Sequence, residues 1–147
     1  MSMRLVWVGS MESGRSPDVP KGDRANGAPQ RRGKTILVVD DDPSILEIVS
    51  EILTQEGYHV VKASDGEEAL AAVRRSKPTL MLLDMRMPGM DGWAVARALH
   101  ERDISIPIIV MTAAENAKKW ADEIGAAGHL AKPFELDDLL RSVEERT

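Results

Sequence analysis

Several absences limit what this chain of 147 residues does. It contains no cysteine, which excludes disulfide bonds and metal sites built on thiolates. No apolar run is long enough to cross a bilayer, and the early apolar run at residues 5–8 is too short for a secretory signal. The formal net charge is −5 at pH 7, which argues against a nucleic-acid binder with a broad basic face. Together these absences predict a cytoplasmic protein without direct nucleic-acid or membrane contacts.

The composition divides the chain into two parts. Hydrophobic residues make up 43% and charged residues 29% of the sequence, which suits one globular domain of ordinary size. Residues 1–33 hold five of the eleven glycines and three of the eight prolines and carry a net charge of +3, which leaves −8 for the remainder. A segment so poor in apolar side chains does not offset the entropy of ordering. We predict a disordered basic leader, either a tail that touches a partner or the product of a start codon upstream of the true one.

From residue 34 onward, short apolar runs alternate with segments of helical periodicity. Asp42 before Pro43 and Asp91 before Gly92 predict N-caps, and residues 64–67 have the spacing of a capping box. Five strand–helix alternations predict a doubly wound α/β fold over residues 34–147 with parallel strands and right-handed crossovers, and with no output domain attached. The predicted strands are 35–40, 58–63, 80–84, 106–112 and 129–132, and the predicted helices are 43–55, 64–75, 92–101, 116–124 and 135–144.

Polar side chains stand at the carboxyl ends of these strands. Asp40 and Asp41 follow the first strand, Asp84 ends the third, Thr112 the fourth and Lys132 the fifth. In the flavodoxin-like strand order, the first and third strands are neighbours, so that the three carboxylates share one cleft. Carboxylates that lie so near one another repel each other. An all-oxygen ligand set favours Mg²⁺ as the cation that neutralises them.

An acidic, metal-holding cleft with a lysine and a hydroxyl opposite it suits a phosphoryl group. A carboxylate that attacks phosphorus gives an aspartyl phosphate, and Asp84, central in the cleft, is the predicted nucleophile. Two other interpretations stay open at this point. Asp84 could simply cap the loop that follows it, or the Asp40-Asp-Asp42 run could mark a phosphatase of the haloacid dehalogenase type with Asp40 as nucleophile.

Four motifs together resemble the receiver domain of two-component response regulators. They are Val38-Val-Asp-Asp-Asp42, Leu83-Asp84 with Met87-Pro-Gly-Met-Asp-Gly92, Met111-Thr-Ala113 and Lys132-Pro-Phe134. The resemblance covers residues 34 to about 145. It implies a flavodoxin-like, five-stranded parallel sheet in the order 2-1-3-4-5, a cis Lys132–Pro133 bond, and a signalling phosphoacceptor rather than an enzyme.

The resemblance also implies a role for each site residue. Asp84 would accept a phosphoryl group from a histidine kinase or phosphotransfer protein. Asp41, Asp84 and the backbone carbonyl of Arg86 would hold Mg²⁺ directly, and Asp40 would do so through water. Lys132 would contact the phosphoryl oxygens.

A switch is implied as well. The Thr112 hydroxyl would move to hydrogen-bond the phosphoryl group, and the ring at position 129 would turn inward. This changes the surface of the fourth helix, fifth strand and fifth helix, where a downstream protein or a second copy would bind. Because the family usually has Tyr or Phe there, His129 either switches or is a strand residue without that role. The interval from Thr112 to Lys132 is short for the family, which predicts a trimmed fourth helix or a tight entry loop. A scaffold that keeps the fold without phosphotransfer is the remaining alternative.

Overall fold

Five strands and five helices alternate through residues 33–147, which are the residues that this computed structural model describes. The prediction of a disordered leader over residues 1–33 lies, Gly33 excepted, outside them. The strands are β1 (Thr35–Val39), β2 (His59–Ala63), β3 (Leu80–Asp84), β4 (Ile108–Ala113) and β5 (Gly128–Lys132), and the helices are α1 (Pro43–Gln55), α2 (Gly66–Ser76), α3 (Gly92–Glu101), α4 (Ala114–Ile124) and α5 (Leu136–Glu145).

The sheet is parallel throughout, in the order β2-β1-β3-β4-β5. The predicted fold class and strand order are therefore confirmed. β3 is central and all five of its residues are buried, as expected for a strand covered by helices on both faces. Val39 at the end of β1 pairs with Leu83, and Asp84 pairs with Met111 of β4. This register brings the ends of β1, β3 and β4 to one edge of the sheet.

Alternation along the strands divides the core into two layers. In β1, Leu37 and Val39 point to one face, and Ile36 and Val38 point to the other, because successive strand residues face opposite ways. The first face packs against α2, α3 and α4, and the second against α1 and α5. The helical residues buried in these layers are Ala69, Leu70, Ala72, Val73, Val95, Leu99 and Ala121 on the first face, and Leu46, Val49, Leu53, Leu139 and Val143 on the second.

The helix caps agree with the sequence in two helices and differ in one. Asp42 caps α1 and Asp91 caps α3, each with its side chain accepting a backbone N–H of the first turn, as predicted. The predicted capping box at residues 64–67 is wrong by one residue. The N-cap of α2 is Asp65, which accepts the Glu68 N–H at 2.8 Å, while the Glu68 carboxylate accepts the Ser64 N–H at 2.8 Å.

The connection between the fourth strand and the fourth helix is tight, and the helix begins two residues before its predicted start at residue 116. β4 begins at Ile108 rather than at residue 106, because Pro107 has no N–H to donate to the ladder. α4 begins at Ala114, directly after the strand, and its N-cap Ala113 offers no side-chain hydrogen bond. The predicted tight entry loop is thus confirmed. The Lys132–Pro133 bond is cis, as predicted.

Candidate functional site

Three carboxylates meet at the carboxyl edge of the sheet. Asp40 and Asp41 follow β1 directly, and Asp84 is the last residue of the neighbouring strand β3. Each offers one carboxylate oxygen, and these oxygens all lie within 4.8 Å of one another. Asp40 and Asp84 are buried, whereas Asp41 is exposed. The structure therefore brings together the three acidic residues that the sequence places at strand ends.

Lys132 lies against this cluster from the end of β5. Its Nζ is 2.7 Å from Oδ2 of Asp40 and 3.8 Å from Oδ1 of Asp84. One ammonium group faces three carboxylates, so the cleft keeps an excess of negative charge when these carboxylates are ionised. Such a set of oxygen ligands, two of them on buried side chains, fits a divalent cation with the preferences of Mg²⁺.

Backbone N–H groups hold the two buried carboxylates in place. The N–H of Asp42 donates to Oδ1 of Asp40 at 3.0 Å, and the N–H of Arg86 donates to Oδ1 of Asp84 at 3.2 Å. Each donor lies two residues after the carboxylate it binds, in the turn by which the chain leaves the strand. The Arg86 backbone is therefore next to the Asp84 carboxylate, although the family resemblance implies a role only for the Arg86 carbonyl.

The environment raises the pKa of Asp84 from 3.8 to about 7. The largest cause is burial, which penalises the charged carboxylate, and the second is the negative charge of Asp40. The positive charge of Lys132 and the hydrogen bond from the Arg86 N–H act in the opposite direction. A cation bound in the cleft would therefore favour the ionised form of Asp84 and lower its pKa again.

This pKa predicts a pH-dependent stability of the metal-free protein. Between pH 3.8 and about 7, folded Asp84 holds a proton that the unfolded chain has released, so the free energy of unfolding falls as the pH rises. Asp84→Asn removes this dependence. In EDTA, its free energy of unfolding relative to the unmodified protein should rise from pH 4 towards pH 7 and then level off by pH 8. Urea denaturation across this pH range measures this, and a pH-independent difference would contradict the raised pKa.

The two predicted switch residues differ in burial and in their distance from the cleft edge of the sheet. Thr112 is buried on β4, one residue beyond the partner of Asp84 in the ladder. His129 is exposed on β5, where it pairs with Val110. Thr112 therefore lies at the edge that carries the cleft, while His129 lies in an outward position. This arrangement leaves the switching role of His129 a prediction.

Comparison with known proteins identifies the class to which this fold and acidic cleft belong. The response regulator receiver domain family matches residues 36–144. The chain belongs to that family, whose members are signalling domains of two-component systems and accept phosphoryl groups as a general property. Receiver domains bind Mg²⁺ in an acidic pocket, and response regulators interact with histidine kinases or phosphotransfer proteins.

Individual relatives agree with this assignment. The chain is 38% identical over 112 residues to sporulation initiation phosphotransferase F of Bacillus subtilis, covering 75% of this chain and 90% of that protein. It is 41% identical over 113 residues to the DNA-binding response regulator MtrA of Mycolicibacterium smegmatis, covering 76% of this chain and 49% of that protein. It thus spans nearly all of one relative and about half of the other.

Solved structures show the same fold. Chemotaxis protein CheY4 of Vibrio cholerae aligns with a TM-score of 0.71 and 33% identity, covering 78% of this chain and 98% of that chain. The receiver domain of NtrX from Brucella abortus aligns with a TM-score of 0.70 and 33% identity, covering 76% and 96% respectively. In the part of the chain described here, no helix is long and apolar enough to span a membrane.

Proposed function

We propose that Asp84 is the phosphoacceptor of this receiver and that it takes its phosphoryl group, with Mg²⁺, from a histidine kinase or phosphotransfer protein. The observation that carries the proposal is the central place of Asp84. Its carboxylate lies close to both Asp40 and Asp41, within 3.8 Å of the Lys132 ammonium, and at the end of the central strand. Family membership supports the chemistry, and this geometry supports the choice of residue.

In this proposal, Asp41, Asp84 and the backbone carbonyl of Arg86 would hold Mg²⁺ directly, and Asp40 would do so through water. The exposed Asp41 leaves one side of the cluster accessible from solvent. When bound, Mg²⁺ supplies positive charge that offsets the carboxylates and polarises the phosphoryl oxygens. Asp40 also keeps Lys132 at the cleft through their 2.7 Å ion pair.

Transfer needs one bond formed and one broken. An oxygen of the Asp84 carboxylate forms a bond to phosphorus while the bond from phosphorus to the donor breaks. The donor, a phosphohistidine nitrogen or the carboxylate oxygen of an acyl phosphate, leaves with the electron pair of that bond. Lys132 then pairs with the phosphoryl oxygens, and the Thr112 hydroxyl donates a hydrogen bond to them.

The phosphatase alternative with Asp40 as nucleophile loses its support. The chain matches the receiver family over residues 36–144. Asp40 is completely buried, and its two oxygens are engaged by Lys132 and by the Asp42 N–H. A nucleophile needs a free oxygen directed at its substrate, so Asp40 is better suited to positioning Lys132. The resemblance to receiver domains also predicts that the domain itself hydrolyses its aspartyl phosphate.

The proposed output surface comprises α4, β5 and α5. Two side chains support it: His129 on β5 is exposed, and Leu136 at the start of α5 is 41% exposed although it is large and apolar. A downstream protein or a second copy of the chain is the proposed partner. The stand-alone character of the receiver, its cytoplasmic location and the absence of direct nucleic-acid contact stay predictions.

Incubation with acetyl phosphate tests the proposed function. The intact mass of the full chain should show one phosphoryl adduct in the presence of Mg²⁺ and none in EDTA. The adduct should be lost at alkaline pH, since an acyl phosphate hydrolyses readily. Absence of an adduct, together with absence of Mg²⁺ binding and of beryllofluoride binding, would instead indicate a scaffold that retains the fold alone.

A further inference from the structure

Arg86 connects the acidic cleft with a helix on the surface. Its backbone N–H donates to Asp84, as described above, and its guanidinium carbon lies 5.9 Å from the centroid of the Trp120 ring on α4. Among the ion pairs formed within residues 33–147, none includes Arg86. Its side chain is therefore held by an aromatic face, through a cation–π contact, rather than by a carboxylate.

Trp120 is itself fixed by contacts with α3. Its ring meets that of Trp93 with centroids 4.8 Å apart and an interplanar angle of 67°, an edge-to-face arrangement. The indole N–H of Trp93 donates to Oε1 of Glu123 at 2.9 Å. Because residues 120 and 123 are three apart, they lie on one face of α4. Trp93 thus holds α4 at two points, and both tryptophans pack against the first core layer.

The segment between Asp84 and α3 turns back on itself and exposes Arg86. The Gly92 N–H donates to the carbonyl of Met85 at 3.1 Å, which closes the segment at its base. Met85 and Met87 are buried, whereas Arg86 between them is exposed. The contact with Trp120 therefore restrains the side chain of the residue whose N–H binds Asp84 and whose carbonyl is, in the proposed function, a Mg²⁺ ligand.

From these contacts we infer that Trp120 is a positioning residue for the acidic cleft. It holds the Arg86 side chain, and through it the Arg86 backbone, where the N–H binds Asp84 and the carbonyl is the proposed Mg²⁺ ligand. The inference rests on the proposed function in one respect, the use of the Arg86 carbonyl as a Mg²⁺ ligand. Its consequence is that a side chain on α4, remote from the carboxylates in sequence, sets the affinity of the cleft for Mg²⁺.

Mg²⁺ titration of the full chain by calorimetry at pH 8 tests this inference. Trp120→Leu should weaken Mg²⁺ binding about threefold, the order expected from losing one exposed cation–π contact. Trp120→Phe retains an aromatic face and should restore most of the affinity. Arg86→Met keeps the backbone carbonyl but removes the guanidinium, so it should weaken binding to the same extent. In the Arg86→Met background, Trp120→Leu should then have no further effect on affinity.

A matched control separates positioning from packing. Ile124→Ala removes another α4 side chain that packs against the same core layer, so it should lower the melting temperature and leave Mg²⁺ affinity unchanged. The inference is overturned if Arg86→Met binds Mg²⁺ like the unmodified protein, or if Trp120→Leu acts equally with and without Arg86. The Arg86→Met result alone can overturn the inference, even if Trp120→Leu fails to fold. If the unmodified protein neither binds Mg²⁺ nor takes a phosphoryl group, the proposed function fails instead.

Discussion

Asp84→Asn is expected to abolish phosphoryl acceptance. An amide is a far poorer nucleophile than a carboxylate, so adduct formation from acetyl phosphate should fall by roughly 100-fold or more. The substitution keeps the size of the side chain and can still accept the Arg86 N–H, which lies 3.2 Å from Oδ1. Because it also removes a buried charge, the fold should be retained. Intact mass after incubation with acetyl phosphate and Mg²⁺ measures the effect.

Two further variants make this result specific to Asp84. Asp122→Asn changes an exposed carboxylate whose ion pair within residues 33–147 is with Lys118, and it should form the adduct at the normal rate. Asp40→Asn should form the adduct slowly, because Lys132 loses its 2.7 Å partner, yet it should still form it. An adduct that persists in Asp84→Asn and disappears in Asp40→Asn would transfer the acceptor role to Asp40.

The second large effect is expected at Gly92, where α3 begins. A Cβ at this position would lie 2.5 Å from Sδ of Met85, 2.7 Å from its Cα and 3.0 Å from the carbonyl oxygen of Asp84. Alanine favours a helix when space is available, but here backbone atoms next to the acceptor would have to move. Gly92→Ala should therefore lower the free energy of unfolding by ~3 kcal/mol and slow adduct formation as Asp84 shifts. Urea denaturation and the acetyl phosphate reaction measure the two effects.

Gly89 in the same loop supplies the control. Its φ is +74°, and a Cβ there would meet nothing within 4 Å. Gly89→Ala should therefore cost only the backbone strain of a left-handed residue, ~1 kcal/mol, and should leave the acceptor chemistry unchanged. Equal losses of stability in the two alanine variants would show that the close approach of α3 to the Asp84–Met85 backbone is unimportant.

Most of the fold is predictable from local patterns in this chain. Short apolar runs that each end in a polar residue mark four of the five strands, and Asp42 and Asp91 mark two helix starts. Once parallel strands are inferred, their carboxyl ends must share an edge. This is why Asp40 and Asp84 are placed in one cleft from sequence alone, although they are far apart along the chain.

What the sequence does not predict depends on side chains from separate elements. Trp93 and Trp120 look like ordinary packing residues, and no spacing indicates that one of them also covers the Arg86 guanidinium. The pairing of Lys132 with Asp40, closer than with Asp84, depends on the register of β5 and on burial. The shift of the α2 cap to Asp65 reflects competition between two adjacent residues that both make good caps.

The most direct test of the central claim locates the phosphoryl group on the chain. The full-length protein is treated with acetyl phosphate and Mg²⁺, the acyl phosphate is reduced with borohydride, and the peptides are analysed by mass spectrometry. Reduction converts a phosphorylated aspartate to homoserine, and we expect this conversion at position 84 alone. Conversion at Asp40, Asp41 or another carboxylate, with Asp84 unchanged, would contradict the account.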